Sequence, residues 1–157
     1  MGALTDLQRA ATALLRADEL LRNPGVAILA VDKGDALLAA LEAMGAAGIL
    51  IAVGPPSATF RGDSSVGPVA DGGVRLAVQV SEPAGSGRDQ ALPSAIDVAE
   101  RVAWLLHNAN HEGEADGPAL AVDSVSPVPD ESAVVYSVLC RATVALTGDF
   151  SEPEPQP

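Results

Sequence analysis

With 157 residues the chain is long enough for one domain with a sizeable core. Its 48% hydrophobic content is mostly Ala, Val and Leu, and the only aromatics are Phe60, Trp104, Tyr136 and Phe150, which argues against aromatic nucleic-acid platforms and sugar-stacking sites. A net charge of −12, from 21 acidic and 9 dispersed basic residues, comes without the clustered Lys and Arg that neutralise phosphates, so tight nucleic-acid binding is not expected.

Leu4, Leu7, Ala11, Leu14 and Leu15 recur at helical spacing, with Thr5 or Asp6 placed to cap the start and Asn23-Pro24-Gly25 to stop the helix. Met1 to Arg22 carries Asp6, Asp18 and Glu19 and so lacks the apolar stretch of a signal peptide. No window reaches the ~18 apolar residues of a membrane span, and the expectation is a soluble intracellular protein without a membrane partner. Val26 to Val31 is a short apolar run that reads as a buried strand. Asp35 opens a second helical stretch, with Leu37, Leu38, Leu41 and Met44 on its apolar side, ending near Gly45 to Gly48. Ile49 to Val53 is another strand, closed by Gly54-Pro55-Pro56, and strand, helix, strand matches a right-handed βαβ unit.

Residues 54–73 are rich in Gly, Pro, Ser and Asp and read as an exposed loop. Val74 to Val80 alternates as a half-buried strand, and Ser81 to Gln90 is a second loop. A third helix runs from about Pro93 to Asn108. Ser94 and Asp97 match a capping box, although Pro93 and that cap compete for their ideal positions. Ile96, Ala99, Val102, Ala103 and Leu106 form its core face, and Asp97 with Arg101 is an i,i+4 pair. Trp104 falls outside this stripe; a place at the stripe's edge in the core is the plainer expectation, a subunit-contact anchor the sharper one.

After a polar loop over 107–118, Leu120 to Val128 pairs with Ala133 onward through Pro129-Asp130-Glu131-Ser132. The second strand, Ala133 to Leu146, places Val134, Tyr136, Val138, Cys140, Ala142, Val144 and Leu146 on one face. Val135 and Leu139 share the other face with Ser137 and Arg141. At about 3.3 Å per residue this strand would run to roughly 45 Å, surplus for a small domain, which points to pairing beyond the monomer. The elements predict an α+β fold: a single domain over 1–148 with a mixed, mostly antiparallel sheet of about five strands, two to three helices and a C-terminal β-hairpin. Residues 149–157, with three acids and three prolines, read as a disordered acidic tail.

Chemistry-bearing constellations are weak. His107 and His111 are spaced i,i+4 without the H-E-x-x-H glutamate, and solvent-exposed loop histidines are the expectation. Asp32, Lys33 and Asp35 follow a strand, where α/β proteins often place active sites, but a solvated turn and helix capping by Asp35 account for them. Gly54-Pro55-Pro56 lacks a phosphate-loop pattern, and its prolines remove amides a phosphate would need. Arg61-Gly62-Asp63 reads as a loop turn. Cys140 has no partner for an internal disulfide and reads as a buried small hydrophobe. Nothing here nominates a catalytic residue, a metal site or a cofactor, so the chain is not expected to be an enzyme.

The segments 74–80 (VRLAVQV), 95–106 (AIDVAERVAWLL, an A-x-D-x-A-x-x-V helix) and 125–136 (VSPVPDESAVVY) resemble those of tail terminator, or tail completion, proteins of tailed bacteriophages and prophages. The resemblance covers roughly residues 70 to 146 closely and the first half in outline. It implies a homo-oligomeric ring, usually a hexamer, that caps the tail tube and joins it to the head. The implied partners are further copies of the chain, the tail tube protein and the head–tail connector protein; the implied place is the virion tail or neck, with the host cytoplasm during assembly. Trp104, Val135, Leu139, Arg141, Arg61 and Arg88 are the candidate subunit or partner contacts. The alternative is a small α/β enzyme or nucleotide-binding domain with a site near Asp32 to Asp35 and Gly54.

Overall fold

The computed structural model describes residues 2–32, 34, 38–39, 42, 48–59, 73–83, 92–108 and 119–143. The first helix, α1 (Ala3–Ala17), buries Leu7, Ala11 and Leu15, one residue per turn on one stripe. Neither Thr5 nor Asp6 caps it. Gly2 is the N-cap and makes no side-chain bond, while Asp6 lies in the first turn, where its charge suits the helix dipole. The helix also stops earlier than Asn23. Asp18 turns extended (φ −75°, ψ 132°), and its carboxylate receives Arg101 Nη2 at 2.6 Å and Nε at 3.2 Å. Arg101 therefore reaches across the fold to Asp18 and does not form the i,i+4 pair expected with Asp97.

This ion pair holds the Asp18 carboxyl below its ordinary pKa of 3.8, chiefly through the Arg101 hydrogen bond and against the opposing effect of burial. A depressed folded-state pKa contributes stability above the ordinary carboxylate range, and that contribution is lost as pH falls through the folded value. Asp18→Asn is expected to lower the denaturant midpoint at pH 7, with the gap to the parent narrowing below pH ~3.9. Urea titrations at both pH values check this; a gap that stays constant would place the stabilisation elsewhere.

Strands β1 (Val26–Ala30) and β2 (Ile49–Val53) pair in parallel, Val26 opposite Ile49, as the βαβ reading required. The helix expected between them lies mostly outside the described residues. Leu38, Ala39 and Glu42 within it are helical, and Leu38, assigned to the apolar side, is 62% exposed. Within the expected loop 54–73, Ser57–Ala58 forms a short β3 that pairs with Arg75 and Val74, and residues 60–72 are outside the described set. Strand β4 (Val74–Pro83) runs three residues past Val80 because strand β6 (Ala133–Thr143) pairs with it all the way to Pro83. The hairpin is completed by β5 (Ala119–Val128), and the sheet order is β1-β2-β4-β6-β5 with β3 beside β4. The sheet has six strands among the described residues, in keeping with the mixed, mostly antiparallel sheet of about five that was expected.

This order leaves β6 itself, over its described residues, no free edge for a neighbouring chain. Strand β6 lies inside the sheet, bonded to β4 on one side and β5 on the other, so its length is consumed within the monomer. Residues 144–146 of the expected strand and the tail 149–157 lie outside the described residues.

The second helix, α2 (Ala95–Asn108), begins where Ser94 caps it: Ser94 Oγ accepts from Asp97 N at 3.2 Å and donates to Asp97 Oδ2 at 2.9 Å. Ser94 thus takes the cap and Pro93 falls just before the helix. Buried Glu82 on β4 accepts the next orphan amide, Ala95 N, at 3.1 Å, which ties the helix start to the sheet. The buried stripe is Ala95, Val98, Ala99, Val102 and Leu106. Ile96 is 54% exposed instead of core, because one residue from Ala95 is about 100° around the helix.

Helices α1 and α2 lie on one face of the sheet, over Ile28, Ile51, Val53, Leu76, Val78, Val138 and Cys140. Val134 has that parity but is 50% exposed, and Pro127 near it on β5 is exposed too. The reason is positional: α2 starts at the Glu82 row, opposite Val134, so the turn end of the hairpin projects beyond the helical layer.

Candidate interaction surfaces

The registers arrange the sheet's other face in rows across the strands. At one end, Ser57, Arg75, Arg141 and Ala121 stand abreast on β3, β4, β6 and β5. Ala77, Leu139 and Ser124 form the next row, then Ala52, Gln79, Ser137 and Ser126, then Leu50, Ser81, Val135 and Val128. Helices α1 and α2 pack on the opposite face. Most of its described side chains are small, and Leu139, 43% exposed, is the largest exposed apolar group among them. Val135, by contrast, is 8% exposed and has little surface to offer a partner.

Arg141 is exposed, and its Nε donates to Asp123 Oδ1 at 2.7 Å. Asp123 is available because a bulge between Val122 and Ser124 leaves it without a partner on β6. The alternation rule placed Arg141 on the outer face, but its opposition to Arg75 depends on register, which no local pattern displays.

Trp104 occupies the second candidate surface. It is 56% exposed on the outer side of α2, so the core placement expected for it does not hold. The Arg101 guanidinium lies 4.8 Å from its ring centroid while also bonding Asp18, so the indole is held against the helix by a fixed cation. Ile96, two turns earlier on the same side, adds a second open apolar group. Arg61 and Arg88 lie outside the described residues, as do His111, Lys33, Asp35 and the Arg61-Gly62-Asp63 tripeptide.

The sheet edges are blunted. On β1, Arg16 Nη2 donates to Ile28 O at 2.8 Å. On β5, His107 Nδ1 accepts from Val122 N at 3.2 Å, and the bulge and Pro127 follow. His107 belongs to the last turn of α2 and not to a loop, as had been expected. These features discourage strand addition from another chain.

At the carboxyl ends of the parallel strands, near Gly54 of the alternative site, lies Gln8. Its buried amide nitrogen contacts Val31 O and Val53 O at 3.0 Å and Gly54 O at 3.1 Å. Asp32 beside it is exposed. Sequence reading passed over Gln8 because a polar residue beside Leu7 looks like the solvent side of the helix. Among the described residues no three His, Cys, Asp or Glu side chains are grouped to hold a metal ion, and no helix is long and apolar enough to cross a membrane.

Cys140 is buried under the helices, and desolvation pushes its thiol up to about 12, with the Asp123 charge adding to the effect. A thiol reagent at pH 8 is expected to modify it only after denaturation, since the thiolate is the nucleophile. Rapid stoichiometric labelling of the native protein would contradict this placement.

The fold and surfaces define a single α+β domain with Leu139, Arg75 and Arg141 exposed on one sheet face and an exposed tryptophan on the opposite layer. No family model matches the chain, and no curated protein matches it. Among solved structures, one with a name that describes no function is 20% identical, with 91% of this chain and 98% of that one covered and a TM-score of 0.49. A likeness at that level carries no argument about role.

Proposed function

We propose that this protein is a structural component of a phage or prophage tail, acting as a tail terminator. Copies of it assemble into a ring, of about six by the family's habit, that caps the tail tube and meets the head–tail connector protein. One observation carries the reading. The three segments that bear the resemblance, 74–80, 95–106 and 125–136, form one contiguous unit: β4, the helix α2 packed across it, and the hairpin that joins β4 through β6. The blunted edges favour side-chain packing between subunits over strand addition, with Trp104 and Leu139 as the apolar contacts on opposite layers. The net charge of −12 suits a ring that DNA passes without adhering. Its place is the virion tail or neck, reached from the host cytoplasm during assembly.

Light scattering across a dilution series, with negative-stain images and sedimentation alongside assembled tube protein, tests the proposal. Expected are rings free in solution or rings bound at tube ends. Trp104→Ala and Leu139→Ser should reduce assembly while shifting unfolding free energy by less than about 0.5 kcal/mol, as exposed positions do. A protein that stays monomeric and does not sediment with tubes would overturn the reading.

A further inference from the structure

Arg75 and Arg141 are direct cross-strand partners on the open sheet face. Side chains so placed start about 5 Å apart, and like charges there repel. Asp123 answers only Arg141; Arg75 makes no ion pair or side-chain hydrogen bond among the described residues. Ser57, the next member of the row, is exposed and supplies a hydroxyl beside Arg75. The row is thus a local cationic site in a chain of net charge −12, with groups suited to carboxylates: the Arg75 guanidinium, the remaining donors of Arg141 and the Ser57 hydroxyl.

A free acidic partner would have to approach against the charge of the whole protein. A segment already tethered next to the site would not, because tethering supplies an effective concentration near the millimolar range for short linkers. The row lies at the end of the sheet where β6 finishes, two residues after Arg141, at Thr143. The chain continues from there to Asp149, Glu152 and Glu154. Asp149 lies six positions beyond Thr143, a reach of up to about 20 Å, ample for a neighbouring strand.

We infer that the acidic C-terminal segment 149–157 of the same chain docks on the Arg75–Arg141 row, its carboxylates relieving the repulsion between the two arginines. The contact covers part of the face whose Leu139 serves the ring reading, but it stands on the arginine row and does not depend on that reading. A nitroxide on Ser151→Cys tests it, since buried Cys140 leaves position 151 as the accessible thiol. At low salt the amide signals of Ser57, Arg75 and Arg141 should broaden, and those of the Ala52, Gln79, Ser137 and Ser126 row much less. The broadening should vanish in about 1 M salt, where the Debye length is about 3 Å, and in Glu152→Gln/Glu154→Gln or Arg75→Gln. Absence of selective broadening, or broadening that survives those substitutions, overturns the inference. A mixture of labelled and isotopically marked chains separates the routes: broadening seen only between molecules would overturn docking within one chain.

Discussion

Gln8→Leu is expected to cost about 2 kcal/mol of unfolding free energy, measured by denaturant titration with slope unchanged. Leucine preserves most of the volume but removes the side-chain amide that bonds Val31 O, Val53 O and Gly54 O. Val53 O keeps a bond from Val31 N at 2.9 Å, so the main loss falls on the Val31 and Gly54 carbonyls. Both sit where β1 and β2 end, and water can only partly replace the amide there. Gln8→Glu sharpens the test. A carboxylate is an acceptor only, and it would face three carbonyl oxygens. Its loss at pH 7 should exceed that of Gln8→Leu and shrink as pH falls, because the protonated acid can donate again. Equal losses for the two variants at every pH would show that the amide's hydrogen bonds contribute little.

Leu106→Ala is expected to cost more, about 3 kcal/mol. Leu106 is 0% exposed at the last turn of α2, where the helix lies against the hairpin. The core is built mainly from Val and Leu, with Leu7, Leu15, Ile49, Ile51, Leu76 and Leu106 as its largest fully buried side chains. Small β-branched neighbours are stiff and cannot swing into the space left behind, so the cavity term adds to the lost transfer energy. The same substitution at exposed Ile96 should change stability by under about 0.5 kcal/mol. Comparing the two distinguishes the observed stripe from the one periodicity suggested, since the latter included Ile96. If both positions respond alike, the placement of α2 is wrong.

Much was legible from residue order alone, where the physics is local. Alternation in Val74 to Val80 and in Val138 to Ala142, the Leu7-Ala11-Leu15 stripe and the Ser94–Asp97 cap each depend on neighbours within a few positions, and each holds. The α+β class and the closing hairpin follow from those elements. Tertiary structure decided the rest, because it depends on which distant segments meet. The bond of Arg101 to Asp18 spans 83 positions, and it replaced the nearer Asp97 because a partly buried guanidinium gains more from a bidentate carboxylate than from an exposed one. Trp104 is open because α2 turns Val98, Val102 and Leu106 inward. Strand β6 became interior because β4 is long enough to pair with it over ten positions. Arg75 opposes Arg141 only through that register, and a slip of one residue would send one of them to the helix side. Sequence determined which residues alternate and where helices begin; the sheet's pairing order determined which surfaces were left open.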